Sequence, residues 1–161
     1  MVIIKIILHS RSDLTYLQNM IGYVTDSRAI VRGCYGVNPF NPSIAYGQMI
    51  TVKGYYNQMN SNPLVHIVVS LDGENDNEEV VAQIAPTIAA YFKDKYQLMW
   101  CVHEPDELTG HHYHIHILLH SVNLQNGHLF HSGPREMNAF GYFVNGITND
   151  NYRLQFECFK D

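Results

Sequence analysis

A chain of 161 residues, 46% of them hydrophobic, is long enough for one domain with a sizeable core, taken as residues 1–161, and leaves little room for a second. No stretch approaches the roughly 20 apolar residues of a membrane span, and a net charge of −5 with neutral histidines counts against a general nucleic-acid binder, whose surface would be basic. Cys34, Cys101 and Cys158 are odd in number and form no CxxC, which points to a reducing cytosol and away from a disulfide framework or a cysteine zinc site.

The opening run VIIKIILH (2–9) carries one lysine and no small-residue cleavage site, so it reads as a first strand and not as a signal peptide. A helix follows, with Ser12 as candidate N-cap and Leu14, Leu17, Ile21 and Val24 at helical spacing. At about 100° per residue, Tyr16 and Tyr23 fall opposite Leu14 and Ile21, away from the buried stripe. RGCYGVNP predicts a short strand ending in the Pro-rich loop NPFNPS. Ser43 is the candidate cap of a second helix running to about Tyr56, with Ile44, Val52 and Tyr56 as its apolar positions.

LVHIVVSL (64–71) predicts a strand, and EEVVAQIAPTIAAYFKDKY a third helix with Val80, Val81, Ile84, Ile88 and Phe92 inward. Pro86 should kink that helix or mark an early turn. QLMWCVHE (97–104) and HYHIHILLHSVN then form a hairpin across a polar loop. A further helix is expected near Glu136 to Val144, and NYRLQFECFKD ends the chain as a strand. Helices mixed with hairpin-length connections imply an α+β fold with a central antiparallel sheet covered by helices.

The ten histidines are the outlying feature of the composition, and five of them fall in HHYHIHILLH (111–120). Residues two apart on a strand share a face at a spacing of roughly 6.6 Å. Ile115, Ile117 and Leu119 therefore face one way, into a core, while His114 and His116 face the other. Two imidazoles so placed can lean onto one metal ion, and His103, ending the neighbouring strand, could sit across from His112 or His114 as a third ligand. Glu104, Asp106 and Glu107 lie close by to hold a ring nitrogen. The plain alternative is a polar strand face that happens to use histidine. His66 shares a face with Ser70 and either lies beside the same site or packs in the core. His111, His112, His120, His128 and His131 read as surface, supporting or substrate-contact residues. Three imidazoles with open coordination positions suit zinc, manganese, nickel or cobalt, and could polarise a phosphoryl oxygen or activate water.

MIGYVTDSR, HIVVSLDG and VHEPDELTGHHYHIHILLHSVN, in that order along residues 12–131, resemble the motifs of the MobA/VirD2-like relaxases of plasmid mobilisation and conjugation, members of the HUH endonuclease superfamily. The resemblance implies a relaxase-like palm and a metal-dependent DNA strand transferase that nicks single-stranded DNA at a transfer origin. It also implies Tyr23 as nucleophile through a covalent 5′-phosphotyrosine, and His103, His114 and His116 as ligands of magnesium or manganese. Glu104 and Asp106 are candidates for catalytic base or ligand support, and Arg28, Ser70 and His120 for DNA contact. A bacterial cytoplasmic setting and accessory mobilisation proteins as partners go with it.

This chain departs from the family's pattern twice: Pro105 stands where the family often has Asp, and His120 where it often has Asn. Relaxases also usually continue beyond the nuclease region, so an isolated catalytic domain or a truncated chain is expected. The rival readings are a replication initiator or transposase of the same superfamily using Tyr142, a metal-dependent hydrolase acting through bound water, and a non-catalytic single-stranded nucleic-acid binder.

Overall fold

The structure, a computed structural model, describes residues 1–9, 13–107 and 110–159. In chain order the elements are β1 (Val2–His9), α1 (Leu14–Val24), β2 (Ala29–Tyr35), α2 (Pro42–Tyr55), β3 (Leu64–Ser70), α3 (Glu78–Ala89), β4 (Leu98–His103), β5 (His114–His120), α4 (Pro134–Thr148) and β6 (Tyr152–Phe159). The strands form one six-stranded sheet in the order β2-β4-β5-β3-β1-β6. The α+β layout is the expected one. The sheet is nevertheless mixed: the β1–β6 edge pair is parallel and the other pairings among the described residues are antiparallel. A parallel pair needs a crossover and not a hairpin turn. β6 reaches β1 only after the whole chain has passed between them, a relation no local pattern encodes.

Side chains alternate across the strands and divide the core in two. On one face Val65, Ile67, Val69, Leu98, Trp100, Val102, Ile115, Ile117 and Leu119 pack against Val81, Ala85 and Ile88 of α3 and Met137, Phe140 and Val144 of α4. On the other, Leu64, Met99, Cys101 and Leu118 pack under Leu17, Ile21 and Val24 of α1 and Ala45 and Met49 of α2. β5 lies at the middle of this stack and is buried along its whole length. Its histidines are therefore polar groups inside the protein, beneath α1.

The helix caps follow short-side-chain chemistry. Asp13 caps α1 by accepting from the Tyr16 N–H at 2.9 Å; the candidate cap Ser12 lies outside the described residues. Asn41, and not Ser43, caps α2, its Oδ1 accepting from the Ser43 and Ile44 N–H groups at 3.0 and 3.2 Å. Pro42 then occupies the first turn, where its missing N–H costs nothing. The buried side of α2 is Ala45, Met49 and Lys53, while Ile44 stays exposed, because the partial periodicity of that helix left its inner face ambiguous.

α3 runs through Pro86 to Ala89 before tightening into a 3-10 turn, Ala90–Phe92. α4 is longer than expected and stops at Asn149, which adopts a left-handed conformation (φ 52°) and donates its N–H to the Asn145 carbonyl at 2.8 Å.

α4 also approaches β6 closely at Gly141, where an added Cβ would meet the Tyr152 ring at 2.2 Å. Alanine in place of glycine gains about 1 kcal/mol of helix propensity. Overpacking against the ring costs about 1–3 kcal/mol. Gly141→Ala is expected to lower unfolding free energy by about 1 kcal/mol net in urea titration, and a gain in stability would show that α4 and β6 are not so closely packed.

Candidate active site

The β4–β5 hairpin pairs His103 directly with His114, and His116 follows on the same face. Ring centroids are 4.5 Å apart for His103 and His116, 4.8 Å for His114 and His116, and 5.6 Å for His103 and His114. One nitrogen from each of the three rings lies within 4.8 Å of the others, and all three residues are buried. Burial is the first cause lowering the pKa of each; neighbouring imidazoles add to it at His103 and His116, while the His112 carbonyl and the Asp106 charge oppose it at His114. The rings are thus neutral near pH 7, the form that offers a lone pair to a metal.

A hydrogen bond fixes the tautomer of His114. His114 Nδ1 lies 3.0 Å from the His112 carbonyl, which can only accept, so Nδ1 carries the proton and Nε2 keeps its lone pair. His116 Nδ1 lies 2.9 Å from His66 Nε2. His103 Nε2 is 3.4 Å from the Cys101 thiol, two residues back on the same strand face. Three neutral, converging imidazoles fit a first-row divalent ion by donor chemistry.

Tyr23 hangs from α1 over this cluster, with its hydroxyl 3.4 Å from His116 Nε2. Its ring meets His116 and His103 edge-on at centroid distances of 5.1 and 5.3 Å. Helical spacing places Tyr23 opposite Leu14 and Ile21 and away from the buried stripe of α1; in the structure it flanks that stripe instead. The sheet beneath is wide enough that a flanking side chain lies half-buried and packed on the core. Burial raises the Tyr23 pKa, opposed by the positive charge of Arg28. That guanidinium sits 4.7 Å from the Tyr23 ring centre, a cation–π contact. Arg28 also donates to Asp26 Oδ2 from Nε at 3.0 Å and from Nη2 at 2.6 Å. Arg28, a candidate for DNA contact, is thus held against the candidate nucleophile by Asp26.

The remaining candidates separate. Ser70 is in register with His114. Glu104 and Asp106 are both exposed, but the negative charge of Asp106 bears on Tyr23, His103 and His114. That of Glu104 acts on Tyr113. A groove of about 560 Å³ is lined by Tyr23 and His116 together with Ile3, Lys5, Ile7, Val68, Ser70 and Gln155. Tyr142 lies on α4, which covers the opposite face of the sheet, and is 70% exposed, away from the histidines.

His120 is corrected as a DNA contact. It is 0% exposed at the far end of β5, and neither ring nitrogen has a hydrogen-bond partner among the described residues. Burial, with the nearby Lys53 charge, pushes its pKa from 6.5 down to about 3. As pH falls below 6.5 the unfolded chain takes up the proton first, so stability is full above that pH and is lost progressively toward pH 3. The loss from this group is on the order of 4 kcal/mol. His120→Leu is expected to remove that slope and to leave neutral-pH stability unchanged or higher, since no buried hydrogen bond is broken. Urea midpoints from pH 7 to pH 4 check it: an unaltered acid slope in the variant would assign the sensitivity to other groups.

Sequence reasoning left the role of His66 open and did not single out Cys101 or Asp26. The signals were present: His66 is the one polar residue inside the apolar run LVHIVV, and Asp26 follows Tyr23 within MIGYVTDSR. Neither signal says which side chains they touch.

A helix-borne tyrosine thus stands above three histidines buried on an α+β sheet. The family model described as relaxase, MobA/VirD2-like nuclease domain, matches residues 16–152, and the chain belongs to that family. No curated protein and no solved structure matches it. Membership supports a DNA-nicking role, in a family that acts on single-stranded DNA, and the histidine triad could hold a metal ion. Among the described residues, no helix is long and apolar enough to cross a membrane.

Proposed function

We propose that residues 1–161 form a relaxase catalytic domain that nicks single-stranded DNA at a transfer origin through Tyr23. The observation that carries this reading is the Tyr23 hydroxyl, 3.4 Å from His116 Nε2 in the groove that both residues line. His103, His114 and His116 would hold a divalent ion, magnesium or manganese in function. When bound, that ion supplies positive charge to offset what builds on the scissile phosphate.

The chain's own residues supply the rest. Tyr23 loses its phenolic proton, its oxygen bonds to phosphorus, and the 3′-oxygen of the upstream nucleotide leaves with the bonding electron pair and takes up a proton. The product is a 5′-phosphotyrosine, whose bond energy is kept for later rejoining. Burial alone disfavours the phenolate, so Arg28 acts by placing a fixed cation over the ring. Glu104 and Asp106 are the candidate carboxylates to receive the phenolic proton; the charge of Asp106 reaches Tyr23, where it raises the phenol's pKa. The groove lining interleaves apolar Ile3, Ile7 and Val68 with polar Lys5, Ser70 and Gln155, which suits stacked bases together with a few phosphate contacts. The bacterial cytoplasm and accessory mobilisation proteins complete the setting this reading implies.

The test is a denaturing gel with Mn²⁺ and single-stranded oligonucleotides tiling a candidate transfer origin. A 3′-end label should migrate with the protein, and a 5′-end label should appear in a free fragment ending in a 3′-hydroxyl. Cleavage without an adduct would favour a water-activating hydrolase. Binding without cleavage would favour a non-catalytic single-strand binder. Either result overturns the proposal.

A further inference from the structure

We propose that His66 is a positioning residue: its Nε2 accepts the Nδ1 proton of His116 and thereby turns the His116 Nε2 lone pair toward the metal and Tyr23. The proposal rests on the metal-centre reading given above and adds to it a residue outside the triad.

The two rings lie on adjacent strands, β3 and β5, with centroids 5.1 Å apart and planes 28° from parallel. Their nitrogens meet at 2.9 Å, while the other nitrogen of His116 faces the Tyr23 hydroxyl at 3.4 Å. Two neutral imidazoles joined by one hydrogen bond have two possible arrangements. If His116 donates from Nδ1, its Nε2 is bare and can ligate. If His66 donates from Nε2, His116 must carry its own proton on Nε2, and the nitrogen facing Tyr23 is closed to a metal. Only the first is compatible with a three-histidine centre, and it requires His66 to hold its proton on Nδ1.

A metal-bound histidine ordinarily donates its second N–H to a carboxylate or carbonyl, which fixes the ring and raises its basicity. His114 has such a partner in the His112 carbonyl. At His116 the corresponding acceptor is an imidazole that is 6% exposed. A carboxylate in that place would bring a buried charge beside the phenol that has to ionise. Imidazole supplies an acceptor without one. This also accounts for a histidine within the otherwise apolar run LVHIVV.

Two measurements on the full chain test it. Long-range ¹H–¹⁵N NMR of the metal-free protein should show His116 protonated on Nδ1 and bare on Nε2, with His66 protonated on Nδ1. The reverse pattern would overturn the assignment without any variant having to fold. Mn²⁺ titration calorimetry should then show His66→Leu weakened about 10- to 100-fold. His66→Gln, whose side-chain amide oxygen can replace the acceptor, should lie within about threefold of the parent. A simple packing role predicts the opposite order, with leucine the better substitute in both melting temperature and metal affinity. Parent-like Mn²⁺ affinity in His66→Leu overturns this role alone and leaves the triad standing. A parent protein that binds no divalent metal overturns the metal centre and this role together.

Discussion

Tyr23→Phe is expected to abolish the covalent protein–DNA adduct and to reduce strand nicking by at least about 1,000-fold, because the group that bonds to phosphorus is gone. The change removes a single oxygen. The ring remains to pack edge-on to His103 and His116 and beneath the Arg28 guanidinium, so the fold and the groove should be kept. Single-stranded DNA affinity should therefore stay within about threefold of the parent, separating loss of chemistry from loss of binding. Tyr142→Phe is the control: that residue is 70% exposed on α4, across the sheet from the histidines, and its change should leave nicking intact. If Tyr23→Phe still forms the adduct, the assignment of the nucleophile fails. If Tyr142→Phe alone loses it, the initiator or transposase reading takes its place.

His116→Ala is expected to have the largest effect on metal binding, about 100-fold or more in Mn²⁺ affinity, with nicking falling in parallel. His116 is central to the cluster: it touches His103, His114, His66 and Tyr23. Its removal takes away a ligand and also unmoors the ring of His66. The opposite face of β5, Ile115, Ile117 and Leu119, is untouched, so the protein should remain folded with a modest loss in melting temperature. His114→Ala removes a ligand whose orientation depends on the backbone of His112, and should weaken metal binding comparably while sparing the His66–His116 pair. Metal affinity of His116→Ala within a few-fold of the parent would show that the three imidazoles do not act as one site.

Much of this site is visible along the chain because it depends on strand periodicity. The placement of His114 and His116 on one face and of the isoleucines on the other follows from alternation alone. A hairpin between residues 97–104 and the histidine strand brings His103 near them, and the register places it opposite His114 and not His112. Helical spacing puts Tyr23 opposite Leu14 and Ile21, away from the buried stripe, and misses that the packed helix brings it half-buried onto the core. What periodicity could not show is that α1 lies over the histidine face, so that a strand with alternating polar residues is buried on both sides. That is why His120 read as a candidate DNA contact when it is enclosed.

The sequence by itself determined the elements, the two-faced histidine strand and the motifs that mark a relaxase, because each depends on residues within one or two turns or one hairpin of each other. Only the tertiary structure decided the strand order, the parallel β1–β6 edge, and the meeting of Tyr23 with His116 and of His66 with His116. Those contacts join residues 93 and 50 positions apart. They depend on how helices and strands pack across the sheet, and on burial that leaves these imidazoles neutral and their nitrogens paired, neither of which has a local signature.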